Sequence, residues 1–426
     1  MKKIIYAFYV IALTMLSTTF IQAQTVDSIS MGPGYANDIY YSMENGEVAN
    51  VARDNWDIAF FTPRFSAGIM INDGYTAAGS FTTLYTYPYD DTAAWESIDT
   101  SSMALWSPMY NSSEYWEEGA FNMNSTGHPD YGWGWYNMTN HHLYGDSLYI
   151  LDIPGVGLKK LWITEKNPID NIYYFKYADI DGSKMHEVEL DVSKYEDRRF
   201  IYYSLVNDEL VNREPDMTSW DFVFTRYFEK IEDNTGEFQY YPVTGVASNV
   251  DIGVNNFHPV PLEFMDWSSE PFDSLKNTIG HDWKSFDFST GWNILDSNVY
   301  FLQNYEGNVY KLIFTWWDGS TTGDLALEKQ LVSLVNVGEM KADEVETEIF
   351  PNPASDHFTV RGDVSLKGNV MITVYDQSGR VAMQQTAASS ELVRGITIHD
   401  AGLATGLYIV QVAGENFSAR QKLMIR

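Results

Sequence analysis

Short apolar runs recur along the chain in two matched series. Trp56-Asp57-Ile58-Ala59-Phe60-Phe61 and Trp220-Asp221-Phe222-Val223-Phe224-Thr225 each open on a large aromatic and continue in β-formers, which predicts a buried strand. Each follows, at a similar distance, an identical tetrapeptide: Ile39-Tyr40-Tyr41-Ser42 for the first and Ile201-Tyr202-Tyr203-Ser204 for the second. Further on, Gly127-His128 precedes Tyr149-Ile150-Leu151-Asp152, as Gly280-His281 precedes Tyr300-Phe301-Leu302-Gln303. A second strand then follows in both, Leu158 to Ile163 and Val309 to Phe314. The same blocks in the same order predict two copies of one β domain, with loop insertions in the first.

The first copy is expected over 24–190. It opens on the turn Gly32-Pro33-Gly34, carries hairpin signals at Asn45-Gly46 and Asn72-Asp73-Gly74, and closes with strands at 148–153, 158–164, 171–178 and 185–192. Between them, 88–147 is a long irregular insertion rich in Trp, Tyr, Asn and Ser. The second copy is expected over 191–337, with 325–335 read as its final strand. A polar, acidic linker at 338–347 leads into a third domain at 348–426. Its strands are expected near 357–361, 370–375, 380–385, 395–398, 406–413 and 417–425, with turns at Gln377-Ser378-Gly379 and Gly414-Glu415-Asn416. The fold class is therefore all-β: two tandem homologous antiparallel β domains and a small C-terminal immunoglobulin-like β-sandwich.

Composition sharpens this picture. A formal charge of −31 argues against nucleic acid and anionic membrane as partners, since both call for a basic face. The chain has no Cys, so disulfides, thiol catalysis and thiolate metal sites are excluded. Residues 1–23 read as an export signal, with Lys2 and Lys3 before an apolar run and Ile21-Gln22-Ala23 as the cleavage site. That run is too short to span a membrane and no later one reaches the required length, so no transmembrane segment is expected.

Four ordered motifs carry a resemblance in the third domain: Ile349-Phe350-Pro351-Asn352-Pro353-Ala354, Val374-Tyr375-Asp376-Gln377-Ser378-Gly379-Arg380, Leu403-Ala404-Thr405-Gly406-Leu407-Tyr408 and the closing Lys422-Leu423-Met424-Ile425. Together they resemble the C-terminal sorting domain of the type IX secretion system of Bacteroidetes. The resemblance implies the secretion machinery as a partner, passage through the outer membrane, and a secreted or surface-attached product. In the tandem copies, the Tyr-Tyr strand followed by Trp-Asp-(Ile/Phe)-(Ala/Val)-Phe resembles the HmuY-like haem-binding proteins of the same bacteria, which are all-β. That resemblance implies haem as a candidate cofactor.

Candidate site residues follow from the insertion. His141 and His142 lie close to Met138, with His128 further upstream, and imidazole is a common axial ligand of haem iron. On a strand, two adjacent His would point to opposite faces, so one at most would enter a pocket. Trp116, Trp133 and Trp135 form a candidate stacking surface for sugars or planar ligands. The repeated Trp and Asp of the Trp-Asp strands are expected to serve structure, the Asp capping a turn or pairing with Arg64 or Arg226. Asp179-Ile180-Asp181-Gly182 lacks the remaining ligands of a calcium loop and reads as a hairpin turn. No nucleophile elbow, zinc-protease helix, phosphate loop or dinucleotide fingerprint occurs. The expectation is a non-enzymatic ligand-binding protein with no metal site. A structural or adhesive surface protein and a carbohydrate binder are the alternatives.

Overall fold

The computed structural model describes residues 24–74, 81–89, 92–233, 235–333, 347–355, 357–362, 369–375, 381–399, 403–413 and 418–426. The expected export signal, nearly all of the expected linker and the two third-domain turns lie outside these residues. Two compact units divide the chain after Ser333.

The larger unit contains two β-sandwiches, and all its paired strands are antiparallel. In one sandwich, a four-stranded sheet runs in the order Glu209–Val211, Phe200–Ser204, Ile58–Phe61, Ile69–Ile71. Its inner face packs Ile58, Phe60, Ile201 and Tyr203 against Leu151, Leu161, Ile163 and Phe175 of a larger sheet. The other sandwich has a four-stranded sheet in the order Phe238–Ser248, Phe222–Glu232, Asn37–Ser42, Gly46–Ala52. There Ile39, Tyr41, Phe222 and Phe224 face Tyr300, Leu302, Leu312 and Phe314.

The pairing crosses between the two sequence copies. The first copy's Tyr-Tyr strand bonds to the second copy's Trp-Asp strand, with Ile39, Tyr40 and Tyr41 opposite Phe224, Val223 and Phe222. The second copy's Tyr-Tyr strand bonds to the first copy's Trp-Asp strand in the same register, with Ile201, Tyr202 and Tyr203 opposite Phe60, Ala59 and Ile58. The strand ahead of each Tyr-Tyr block follows suit. Thr25–Ser30 closes the sheet ending in Asp324–Ser333, and His186–Asp191 closes the sheet containing Ile172–Asp179.

The sheets therefore do not divide the chain between 190 and 191. One sandwich takes its strands from 58–211, and the other from 25–52 together with 222–333. The two Tyr-Tyr segments are identical in sequence, so local pattern does not tell which Trp-Asp strand each one pairs with. The final strand expected over 325–335 is Asp324–Ser333, and Asp179 to Gly182 forms a hairpin turn whose Asp179 is paired with Lys159 and Lys184.

The two four-stranded sheets meet back to back. Strands at this junction are buried on both faces, which is why Ile58–Phe61 is apolar throughout and Phe200–Ser204 is buried along its whole length instead of alternating. Tyr202 sets its ring edge-on to Trp56 at 4.9 Å, and Tyr40 does the same to Trp220 at 4.9 Å. Such pairs add about 0.5–1.5 kcal/mol each beyond the area they bury.

The repeated Asp of each Trp-Asp strand caps a turn in the other copy. Asp57 accepts from the backbone N–H of Leu205 at 2.6 Å and of Val206 at 3.3 Å. Asp221 accepts from Met43 N–H at 2.6 Å. Neither pairs with Arg: Arg64 bonds to Glu196.

The smaller unit has a three-stranded sheet (Thr347–Phe350, His357–Gly362, Ile396–His399) and a four-stranded one (Val381–Ala388, Asn369–Tyr375, Gly406–Ala413, Ser418–Ile425) around one core. The strands fall within a few residues of the expected ones, with Thr347–Phe350 and the turn of helix Ser389–Leu392 in addition. Its Pro-Asn-Pro motif is explained by Asn352. The side chain donates to Lys422 O at 2.7 Å and accepts from Met424 N–H at 2.9 Å, so it fastens the entry of the domain to its last strand.

Candidate functional site

The insertion of the first copy is held by two asparagines acting as substitute backbone. The strand Ile69–Ile71 ends its sheet, and an uncovered edge there would leave buried polar groups unmet. Asn111 accepts from Ile71 N–H at 3.1 Å and from Ala120 N–H at 2.9 Å, and donates to Ile71 O at 2.8 Å. Asn122 accepts from Ile69 N–H at 3.0 Å and donates to the carbonyls of Ala67 and Tyr131, each at 3.0 Å. In the second copy, main-chain carbonyls do this work: Val246 N–H bonds to Gly280 O and Ser248 N–H to Lys276 O. The insertion lies so close that a Cβ on Gly119 would fall 1.9 Å from Ile69 O.

Fixed in this way, 110–131 walls a cleft of about 760 Å³, whose far side is Lys230 and Tyr240 from the long hairpin of the other sandwich. The size is in the range of small-ligand clefts. Tyr110 stacks on Tyr240 with centroids 4.1 Å apart, and Tyr115 is exposed. Glu114, Glu117, Glu118 and Asp130 line the cleft with Lys230 as the cation. Ser66 donates to Glu117 at 2.5 Å. Asp130 is committed to its own turn by Thr126 and Gly132, and although burial alone would raise its carboxyl, these hydrogen bonds hold it below the usual range. The wall is therefore acidic and aromatic.

The candidate residues read from the sequence separate in space. His128 lines the cleft, exposed, with its ring 5.1 Å from that of Tyr136. Met123 lines it too. His141 and His142 do not. Both follow the tip of the hairpin joining Gly134–Tyr136 to Leu143–Gly145, not a strand. His141 has φ 65° and bonds through Nδ1 to the Tyr136 hydroxyl, while His142 bonds through Nδ1 to Glu165. Met138 sits at the hairpin tip, 70% exposed.

The proposed tryptophan surface does not form. Trp133 is wholly buried and donates through Nε1 to Ala67 O at 2.9 Å. Its counterpart Trp283 is buried in the other core, stacked on Phe314 at 3.9 Å. Trp116 wedges between the sandwiches, donating to Ser248 O at 2.7 Å with its ring edge-on to Trp220. Trp135 alone of the three is exposed. A tryptophan-rich loop looks like a platform in sequence, but indole burial against a sheet end satisfies the same composition. The stacking residues that line the cleft are tyrosines, Tyr110, Tyr115, Tyr131 and Tyr240, which sequence reasoning did not single out. The nearest signal was the density of Tyr and acidic residues around Glu117-Glu118.

Among the described residues, no helix is long and apolar enough to cross a membrane, and no cluster of three or more His or acidic residues could hold a metal ion. No curated protein matches the chain. Residues 348–426 match the family of secretion system C-terminal sorting domains. The chain therefore ends in a type IX sorting domain, which marks it as secreted or attached to the cell surface and gives it the secretion machinery as a partner.

Proposed function

We propose that this exported protein is a non-enzymatic capture protein whose ligand is a neutral or amine-bearing glycan held in the 760 Å³ cleft. The observation that carries this reading is the pairing of tyrosine rings with carboxylates around one cleft. Tyr110 and Tyr240 form a stacked pair, Tyr115 stands exposed, and Glu114, Glu117 and Glu118 lie among them. Sugars offer C–H faces to rings and hydroxyls to acceptors, and an ionised carboxylate accepts only. An excess of negative charge favours an uncharged or cationic ligand.

A second reading rests on His128 and Met123, which line the same cleft. His and Met together are a known axial pair for haem iron, and the Tyr-Tyr and Trp-Asp strands resemble the HmuY-like family. Against it stands the acidic wall, which repels the propionates. His141 and His142 lie outside the cleft and are partnered elsewhere.

Glycan-array binding and calorimetry on the full chain test the first reading. Tyr115→Ala and Glu117→Gln should each weaken glycan binding about tenfold. A haemin titration tests the second: a shifted Soret band abolished by His128→Ala would replace the glycan with haem. If neither ligand binds, the chain is an adhesive or structural surface protein.

A further inference from the structure

The turn 62–68 joins Ile58–Phe61 to Ile69–Ile71 and lends Ala67 and Gly68 to the wall of the cleft. It has little apolar anchorage of its own: Ala67 enters the hydrophobic core, whereas Phe65 stands exposed. One buried cation gathers its main chain instead. Lys166 has no exposed surface, and its Nζ donates to Ser66 O at 2.7 Å, to Pro63 O at 3.1 Å and to the Tyr173 hydroxyl at 3.0 Å. An ammonium has three donors, and these three acceptors use them all. The Tyr173 hydroxyl in turn donates to Phe61 O at 3.2 Å and Ser66 O at 3.3 Å, sharing its one hydrogen between them.

The other side of the turn faces the insertion. Ser66 Oγ donates to Glu117 at 2.5 Å. Ala67 O accepts from the Trp133 indole N–H at 2.9 Å and from the Asn122 amide at 3.0 Å. A Cβ on Gly68 would fall 2.6 Å from Glu117 O, so turn and insertion are in contact. A shift of the carbonyls at 63–66 therefore reaches Glu117 and Trp133 directly.

Burial pulls the Lys166 ammonium down to about 7, against the charge of Glu117, which acts the other way. Glu117 from the insertion and Tyr173 from the neighbouring strand are the titratable groups that face it. Arg64, on the turn itself, is paired with Glu196, and Glu165, the residue before Lys166 on its strand, is paired with His142. Without its proton the amine keeps two donors and gains a lone pair. Its donors go to Pro63 O and Ser66 O, and the Tyr173 hydroxyl turns from the carbonyls to the lone pair. The turn then loses one donor, together with the charge that strengthened the others.

We propose that Lys166 is a positioning residue of the cleft: it touches no ligand, but its ammonium holds the turn 62–68 against the insertion and so sets Glu117, and the cleft binds its ligand more weakly once that proton is lost. The ligand half of this inference rests on the cleft being the binding site.

The test uses the full chain with isotopically labelled tryptophan. The Trp133 indole N–H resonance, assigned with Trp133→Phe, reports the turn without any ligand. It should shift as the solution is taken from about pH 6 to about pH 9, and it should stay in place in Lys166→Met. Calorimetry with the N-acetylglucosamine trisaccharide, a neutral glycan, should show an affinity several-fold lower at the upper pH, a fall that Lys166→Met lacks. Comparing the two chains separates Lys166 from His128, which lines the same cleft. An indole resonance that ignores pH, or that moves equally in both chains, overturns the proposal. So does trisaccharide affinity that is equal at the two pH values, or that falls equally in both chains. A resonance that titrates as expected while the trisaccharide binds at neither pH supports the hold of Lys166 on the wall and counts against the glycan reading alone.

Discussion

The hydroxyls of Tyr40 and Tyr202 lie 3.4 Å apart in the buried centre of the larger unit. The two residues hold the same place in the two sequence copies. Each sits in a strand that pairs with the Trp-Asp strand of the other copy, in the same register.

The contact is asymmetric in energy. Tyr202 also donates to Glu214 at 2.9 Å, whereas the long bond to Tyr202 is the hydrogen bond found for the Tyr40 hydroxyl. Tyr202→Phe should cost about 1–3 kcal/mol and Tyr40→Phe under about 1 kcal/mol. Urea unfolding of both variants measures the difference, and equal losses would contradict it.

Burial pushes the Glu214 carboxyl up to about 7, against bonds from Arg199, Tyr202 and Phe200 that act the other way. A carboxylate raised on folding stabilises fully below its unfolded pKa of about 4.5 and loses that contribution as pH rises to about 7. Glu214→Gln mimics the protonated form. Its unfolding free energy should fall less than that of the parent chain between pH 4.5 and 7.5, which denaturant titrations at a series of pH values would reveal.

Asn111→Ala removes the substitute backbone along Ile69–Ile71, leaving the Ile71 amide and carbonyl and the Ala120 amide without their partners. A loss of about 2–4 kcal/mol is expected. Hydrogen exchange should show it concentrated in 110–131, and the cleft ligand should bind more weakly in proportion.

Trp133→Ala should cost about 3–5 kcal/mol, because the indole is fully buried in a core. Trp135→Ala, at an exposed position of the same loop, should stay within about 0.5 kcal/mol. Thermal melts separate the two, and similar losses would return Trp133 to the surface.

Deleting 348–426 removes the sorting domain. The truncated chain should be absent from the culture medium and the cell surface and accumulate inside the outer membrane. Immunoblots of fractionated cells decide this.

Much of the strand pattern was legible because each segment carried its own signal. The Trp-Asp segments read as buried strands from an aromatic followed by β-formers, and the third-domain strands were bounded by turn residues. The cleft was not legible. Its walls come from 110–131 and from Lys230 and Tyr240, far along the chain in the other sandwich, so no local pattern joins them. The histidines misled for a related reason: adjacency at 141 and 142 said nothing of Tyr136 and Glu165, which take up their ring nitrogens.

The sequence by itself determined an all-β chain in which the Trp-Asp and Tyr-Tyr segments recur as core strands, with a sorting domain after them. Only the tertiary structure decided which copy each strand serves. Ile-Tyr-Tyr-Ser offers the same hydrogen-bonding edge and the same apolar face at 39 and at 201, so pairing within a copy and pairing across copies are degenerate in local terms. In the exchanged arrangement the two sheets meet back to back, and Tyr40, Tyr202, Trp56, Trp220 and Trp116 pack together there, a long-range contact that no local segment encodes.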